Sequence, residues 1–151
     1  ICNTLLFAVD HHGGSEENQI GWEWHDPTLV DASTGRLNTL PHFEKTMSRA
    51  RLTDTVRTVV GDSPTIASTW TQEIAMCFID GGHARDVAAN DYAAWNGHIA
   101  LGGILAIHDV FTDPALGGQA PYEEIYLAAI NSGKFADVSA TGSLRVLTRV
   151  K

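Results

Sequence analysis

At 151 residues the chain is long enough for one domain with a substantial core and short for two. Its composition, 44% hydrophobic and 19% charged, excludes a disordered or collagen-like chain. A formal net charge of -8, with no local cluster of Lys and Arg, would repel a phosphate backbone, so nucleic acid is not an expected partner.

Cys2 and Cys77 form no CxxC pair, and Cys77 lies in an apolar run that suits a small buried thiol. A reducing, cytoplasmic location is expected. No apolar stretch approaches the ~18 residues that span a bilayer. No basic region precedes the first apolar residues, so neither a membrane anchor nor a secretion signal is read.

The apolar run from Thr4 to Val9 reads as a buried strand stopped by Asp10, followed by a polar, Gly-bearing loop from His11 to Gly21. With Ile1 rather than Met first and an apolar strand beginning almost at once at Thr4, a fragment whose sheet begins upstream is expected. Residues 21–35 hold Trp22, Trp24, Pro27 and Asp31 without periodicity, which predicts a long ordered loop or lid. From Thr39 to Ala50, the apolar residues Leu40, Phe43, Met47 and Ala50 recur at helical spacing, with Pro41 in the first turn.

A β-rich run, Thr55 to Val60, ends at Gly61-Asp62-Ser63-Pro64, and a short helix to Trp70 follows with Ser63 as its expected N-cap. Ile74 to Ile79 is a second apolar strand ending at Asp80. Residues 85–100 read as a helix closed by Gly102-Gly103, and Ile104 to Ile107 as a strand ending at His108-Asp109. A Gly/Pro-rich loop from Thr112 to Pro121 leads to helical spacing over Tyr122 to Asn131. Strands near Phe135 to Ala140 and Leu144 to Val150 flank the hairpin-sized turn Thr141-Gly142-Ser143.

Continuous apolar strands alternating with helices predict a single α/β domain over residues 1–151, with a mostly parallel sheet, helices on both faces and an antiparallel C-terminal hairpin. Ligands in such sheets bind beyond the carboxyl ends of the strands. Asp10, Asp62, Asp80 and the pair His108-Asp109 all stand at those ends. Asp is also a common turn and cap residue, so one such position alone would mean little.

The runs LLFAVDHHGGSEENQ, VVGDSP, FIDGGH and GGILAIHDVF, followed by the terminal hairpin, together resemble a class I S-adenosylmethionine-dependent methyltransferase. The nearest branch is that of small-molecule O-methyltransferases and cephalosporin-hydroxylase-like proteins. The resemblance runs from the second sheet strand of that Rossmann-like fold to its last, and the first strand with its Gly-rich cofactor turn has no counterpart in it. It implies that Asp10 binds the ribose hydroxyls of the cofactor. It places Asp62 near the adenine amino group, with Ser63 beside it, against the rival reading of a helix cap.

Asp80 and Asp109 match the divalent-metal ligands of metal-dependent members, with His108 where relatives often have another acid. Hard oxygen donors suit Mg²⁺, while the imidazole favours Zn²⁺, Mn²⁺ or Fe²⁺. Some relatives carry a proposed general base two residues after the first of these acids, and here that position is Gly82. His83 is the nearest replacement, either as base or as a helix cap.

At most one of His11 and His12 is expected to face a site. With Glu16 and Glu17 they form either a second metal centre or, more simply, a solvated acidic loop. Trp22 and Trp24 either cover an aromatic substrate or anchor their loop to the body. Two functions are carried forward. One is methyl transfer from S-adenosylmethionine to a small hydroxylated molecule, with or without metal assistance, with Asp80 and His83 at the reacting hydroxyl. The other is a metal-binding hydrolase-like or hydroxylase-like protein, or a non-catalytic remnant, using the same Asp/His cluster. Unpaired sheet edges also make a homodimer an expectation.

Overall fold

The structure is a computed structural model that describes residues 4–151. It is a mixed α/β chain that divides into two compact units, Ile1–Ile66 and Ala67–Lys151.

In the first unit β1 (Leu6–Asp10) is followed by single 3₁₀ turns at Glu16–Asn18 and Pro27–Leu29. Next come β2 (Val30–Asp31), β3 (Arg36–Leu37), α1 (Leu40–Arg49), β4 (Val56–Val60) and the start of α2 (Ser63–Ser68). β1 and β4 pair in parallel, Leu6 opposite Val56 and Asp10 opposite Val60. β2 and β3 form a small antiparallel hairpin that starts in the segment expected to be a lid and ends just beyond it. Its turn is built by Asp31, whose Oδ1 accepts from the backbone N–H groups of Ser33 and Thr34. Strands two residues long carry no periodicity, so local pattern could not reveal them. Trp22 and Trp24 are exposed rather than packed as loop anchors.

The second unit contains β5 (Ile74–Ile79), α3 (Arg85–Trp95), β6 (Ile99–Ile107), β7 (Phe135–Thr141) and β8 (Leu144–Arg149). Its sheet runs β5-β6-β8-β7, parallel between β5 and β6 and antiparallel thereafter. The terminal hairpin stands where the sequence places it, with Gly142 at φ 57 in the turn.

In this unit two stretches differ from expectation. α3 stops at Trp95 rather than running to Ala100, because β6 already begins at Ile99. The pair Gly102-Gly103 is a bulge inside that strand, where the register jumps from Ile74 opposite Ile99 to Met76 opposite Ile104. A Cβ at Gly103 would lie 2.8 Å from the Ala100 carbonyl oxygen and 3.1 Å from that of Ala75. The glycine therefore permits close backbone approach and does not end a helix. The second difference is at residues 121–131, where a π-helical segment (Pro121–Leu127) precedes the short α4 (Ala128–Asn131).

Along β5 the side chains alternate, with Ile79 buried and Cys77 half-buried while Met76 and Phe78 are exposed. Ile79 joins Leu105 and Ile107 of β6, Leu147 of β8 and Phe135 of β7 in one core. Ala88 of α3, Ile125 of the π-helical segment and Ala129 of α4 cover it. Each large aliphatic residue buried this way contributes about 1.5–3 kcal/mol. The core thereby holds the carboxyl ends of β5 and β6 side by side.

Leu147 is 0% exposed and Leu101 is 72% exposed. In urea unfolding, Leu147→Ala should cost about 2–5 kcal/mol. Leu101→Ala should stay within about 0.5 kcal/mol of the parent. Equal effects of the two changes would contradict this core.

Candidate functional site

Ile79 pairs with Ile107, so the next residues, Asp80 and His108, leave adjacent strand ends together. The His108 N–H still donates to the Ile79 carbonyl at 3.0 Å, which carries the ladder to the edge of the site. The backbone then turns through a left-handed conformation at Asp109, φ 53. Such a conformation is uncommon outside glycine, though Asp tolerates it better than most residues. Val110, buried in the core, fixes the turn by donating its N–H to the Ser143 carbonyl at 2.9 Å. The Ser143 hydroxyl reaches Asp109 Oδ1 at 3.3 Å.

One ligand atom each from Asp80, His108 and Asp109 lies within 4.8 Å of the others. His108 Nδ1 stands 3.1 Å from Asp80 Oδ1 and 3.1 Å from Asp109 Oδ1. That nitrogen is shielded from solvent, yet among the described residues it makes no hydrogen bond. Its distances to the carboxylates are short, but its directions are wrong for donation to either. Donors at neighbouring corners around an ion with bonds of about 2.0–2.1 Å stand about 3.0 Å apart. The three residues therefore fit a small divalent cation. The other oxygen of Asp109, Oδ2, lies 3.3 Å from His83 Nε2. Asp109 thus joins the metal-ligand candidates to the candidate base.

The N-cap position of α3 is Ala84, and His83 stands one residue before it. Its ring meets Asp109. Asp80, His83 and His108 line a small hollow together with Asp91, Pro121 and Ile125. Asp91 is a residue that sequence reasoning missed. It is 8% exposed, on the inward face of α3 between buried Ala88 and Trp95. The signal was available, because positions 88, 91 and 95 share one helical face and an acid on a buried face is unusual. Gly81 lies against this carboxylate, and a Cβ there would be 2.7 Å from Asp91 Oδ2. Nearby, burial together with the Asp91 charge pushes the Cys77 thiol up to about 12.

The nucleoside-binding candidates belong to the first unit. Asp10 is the last residue of β1 and is exposed, with Oδ1 accepting from the His12 N–H at 2.7 Å. Asp62, rather than Ser63, caps α2, and Ser63 is the first helical residue. Asp62 Oδ2 accepts from the Thr65 hydroxyl at 2.6 Å and from the Thr65 N–H at 3.1 Å. These bonds, the hydroxyl's first, hold the Asp62 carboxyl below its ordinary value of 3.8. The local expectation that the serine caps failed because the helix starts one residue earlier than Pro64.

His11 and His12 diverge as expected of neighbours. His11 is exposed and its Nδ1 accepts from the Gly13 N–H at 2.9 Å, whereas His12 is buried. Among the described residues, Asp80, His108 and Asp109 are the one set of three ligating side chains brought together, and Glu16 and Glu17 build no second centre with the histidines.

Residues 2–110 match the model of a family described as a methyltransferase domain. The chain belongs to that family. Its fold is the class I S-adenosylmethionine-dependent methyltransferase fold. The O-methyltransferase NovP is 12% identical, with a TM-score of 0.65, 97% of this chain covered and 60% of NovP. A methyltransferase from Geobacter sulfurreducens is 17% identical at a TM-score of 0.59, with 97% and 59% covered. MycE, a methyltransferase of the mycinamycin biosynthetic pathway solved with Mg, S-adenosylhomocysteine and mycinamycin VI, is 15% identical at a TM-score of 0.50, with 97% and 45% covered. The methyltransferase domain thus spans about 60% of the length of the first two structures and less than half of MycE.

Two outcomes follow from these contacts. Because a methyl group at position 81 must displace the Asp91 carboxylate, Gly81→Ala should lower the melting temperature by about 2–4 °C, as for a loss of about 1 kcal/mol in a chain of this length. Scanning calorimetry reporting no change would show that the turn tolerates a side chain. In a Cys2→Ser background, Cys77 should resist iodoacetamide at pH 8 in the native state and react after unfolding. Rapid native labelling would contradict the buried, neutral thiol.

Proposed function

We propose that the methyltransferase domain acts in methyl transfer from S-adenosylmethionine to a hydroxyl of a small molecule, with a divalent cation held by Asp80, His108 and Asp109. The observation that carries this reading is the position of Asp109, one oxygen beside the His108 nitrogen and the other beside His83. Two carboxylates and one imidazole fit Mg²⁺ or Mn²⁺, and the imidazole raises the standing of Mn²⁺ relative to an all-oxygen site. The family match, and the Mg and S-adenosylhomocysteine in the MycE complex, support the same reading.

The cofactor supplies an electrophilic methyl group, and the cation would orient the acceptor hydroxyl and lower its pKa. The chain's own side chains do the rest. Asp109 Oδ2, 3.3 Å from His83 Nε2, would hold the proton on that nitrogen and so leave His83 Nδ1 to take the hydroxyl proton. The same carboxylate then steadies the imidazolium. Asp80 sets the other side of the acceptor. Asp10 would accept hydrogen bonds from both ribose hydroxyls, as a carboxylate can from a vicinal diol. Asp62 would meet the adenine amino group, with Ser63 alongside, while its Oδ2 keeps the cap of α2.

A small acceptor is preferred over nucleic acid because of the net charge of -8. Among the described residues no helix is long and apolar enough to cross a membrane. We place the protein in the cytoplasm because a free Cys77 with a largely buried thiol suits a reducing compartment.

Calorimetric titration with S-adenosylhomocysteine tests the nucleoside assignment. Saturable binding weakened at least roughly tenfold by Asp10→Ala is expected, as for loss of a charge-assisted pair of hydrogen bonds. Binding indifferent to Asp10→Ala, or none by a folded sample, would overturn it for this chain.

A further inference from the structure

We infer that His12 is a positioning residue, which with Thr39 locks the Asp10 carboxylate in the orientation that receives a ribose diol. This rests on the reading of Asp10 given above. Three features of His12 are unusual for a loop histidine. It is 5% exposed, it holds a left-handed backbone at φ 59, and its Nε2 is buried with no hydrogen-bond partner among the described residues. A solvated acidic loop would need none of them. Burying a polar ring, leaving one nitrogen unpaired and adopting a conformation that non-glycine residues avoid are all unfavourable. Such combinations persist where surrounding contacts over-determine them.

Those contacts are specific. The His12 N–H donates to Asp10 Oδ1 at 2.7 Å, and the left-handed turn is what aims it back at the strand end. The ring is held by Thr39, whose Oγ1 lies 2.8 Å from His12 Nδ1. Thr39 N–H also donates to the His12 carbonyl at 3.0 Å, so ring and backbone are both tied to the residue that precedes α1. Phe43, one turn into α1, packs on the ring with centroids 5.5 Å apart. The chain beyond is fastened as well, because Gln19 Nε2 donates to the Gly13 and Ser15 carbonyls. Helix α1 therefore fixes His12, and His12 fixes one oxygen of Asp10. Oδ2 is 3.7 Å from His12 Nδ1, outside hydrogen-bonding distance, and belongs to an exposed side chain able to accept from a ligand.

The test is a double-mutant cycle read by S-adenosylhomocysteine calorimetry. His12→Asn keeps a residue that tolerates the left-handed backbone but cannot reach Thr39. Thr39→Val removes the hydroxyl and leaves His12 intact. Each should weaken binding roughly tenfold, the effect of misorienting one charge-assisted hydrogen bond. Thr39→Ser should restore it. In an Asp10→Ala background neither His12→Asn nor Thr39→Val should have any further effect, because the clamp acts through Asp10. Equal losses in both backgrounds, or no loss in a folded variant, would overturn the proposal. If the parent chain binds no S-adenosylhomocysteine, the reading of Asp10 fails by itself, and amide exchange decides about the clamp. Thr39→Val should then speed exchange at the His12 N–H at least roughly tenfold, leaving the Phe7 to Val9 ladder unchanged. Unaltered exchange at His12 would refute the clamp.

Discussion

The parallel pairing of β5 with β6 is the constraint on which the second unit's chemistry depends. Parallel strands bring both carboxyl ends to the same edge, so Asp80 and His108 emerge as neighbours although 28 positions separate them in the chain. An antiparallel pair would have placed them at opposite ends of the sheet. The core of Ile79, Leu105, Ile107 and Leu147 keeps the two ends in register. The left-handed turn at Asp109 brings a third candidate ligand beside them and makes the contact with His83. The first unit repeats the device on a smaller scale, with β1 and β4 in parallel and Asp10 at the end of its strand.

Much of this was legible in the sequence because strand ends are marked by chemistry. The apolar run Ile74 to Ile79 has the boundaries that its residues suggest, and the acid after it is where a ligand would be sought. The end of β6 at Ile107, just before His108-Asp109, is likewise where the sequence places it, although its start is not. What local pattern misread was set by contacts distant in sequence. Gly102-Gly103 looks like a helix stop, but Gly102 holds a positive φ and Gly103 lies against the carbonyls of Ala100 and, from the neighbouring strand, Ala75. The β2–β3 hairpin is too short to have a period. Asp91 was overlooked for a different reason, since its helical phase was visible but the Gly81 turn lying against it was not.

Strain and buried polarity gather where function is proposed. His12 and Asp109 both hold left-handed backbones, and each stands one or two residues from a strand-end acid or is that acid itself. Asp91 is a buried carboxylate beneath the turn that links Asp80 to His83. Arg51, the remaining non-glycine residue of positive φ among those described, lies just beyond α1 and has no place in this account. The two units thus use one physical scheme, in which an unfavourable conformation at a strand end is held by packing from an adjoining helix or hairpin.

The central claim is that Asp80, His108 and Asp109 form a divalent-cation site. Titration of the folded chain with Mn²⁺, followed by electron paramagnetic resonance of the free ion, tests it most directly. Saturation at one ion per chain, lost in Asp109→Asn and in His108→Ala but retained in His83→Ala, is the predicted result. Mn²⁺ signals that remain those of the free ion in the parent chain, or binding that survives both ligand substitutions, would contradict it.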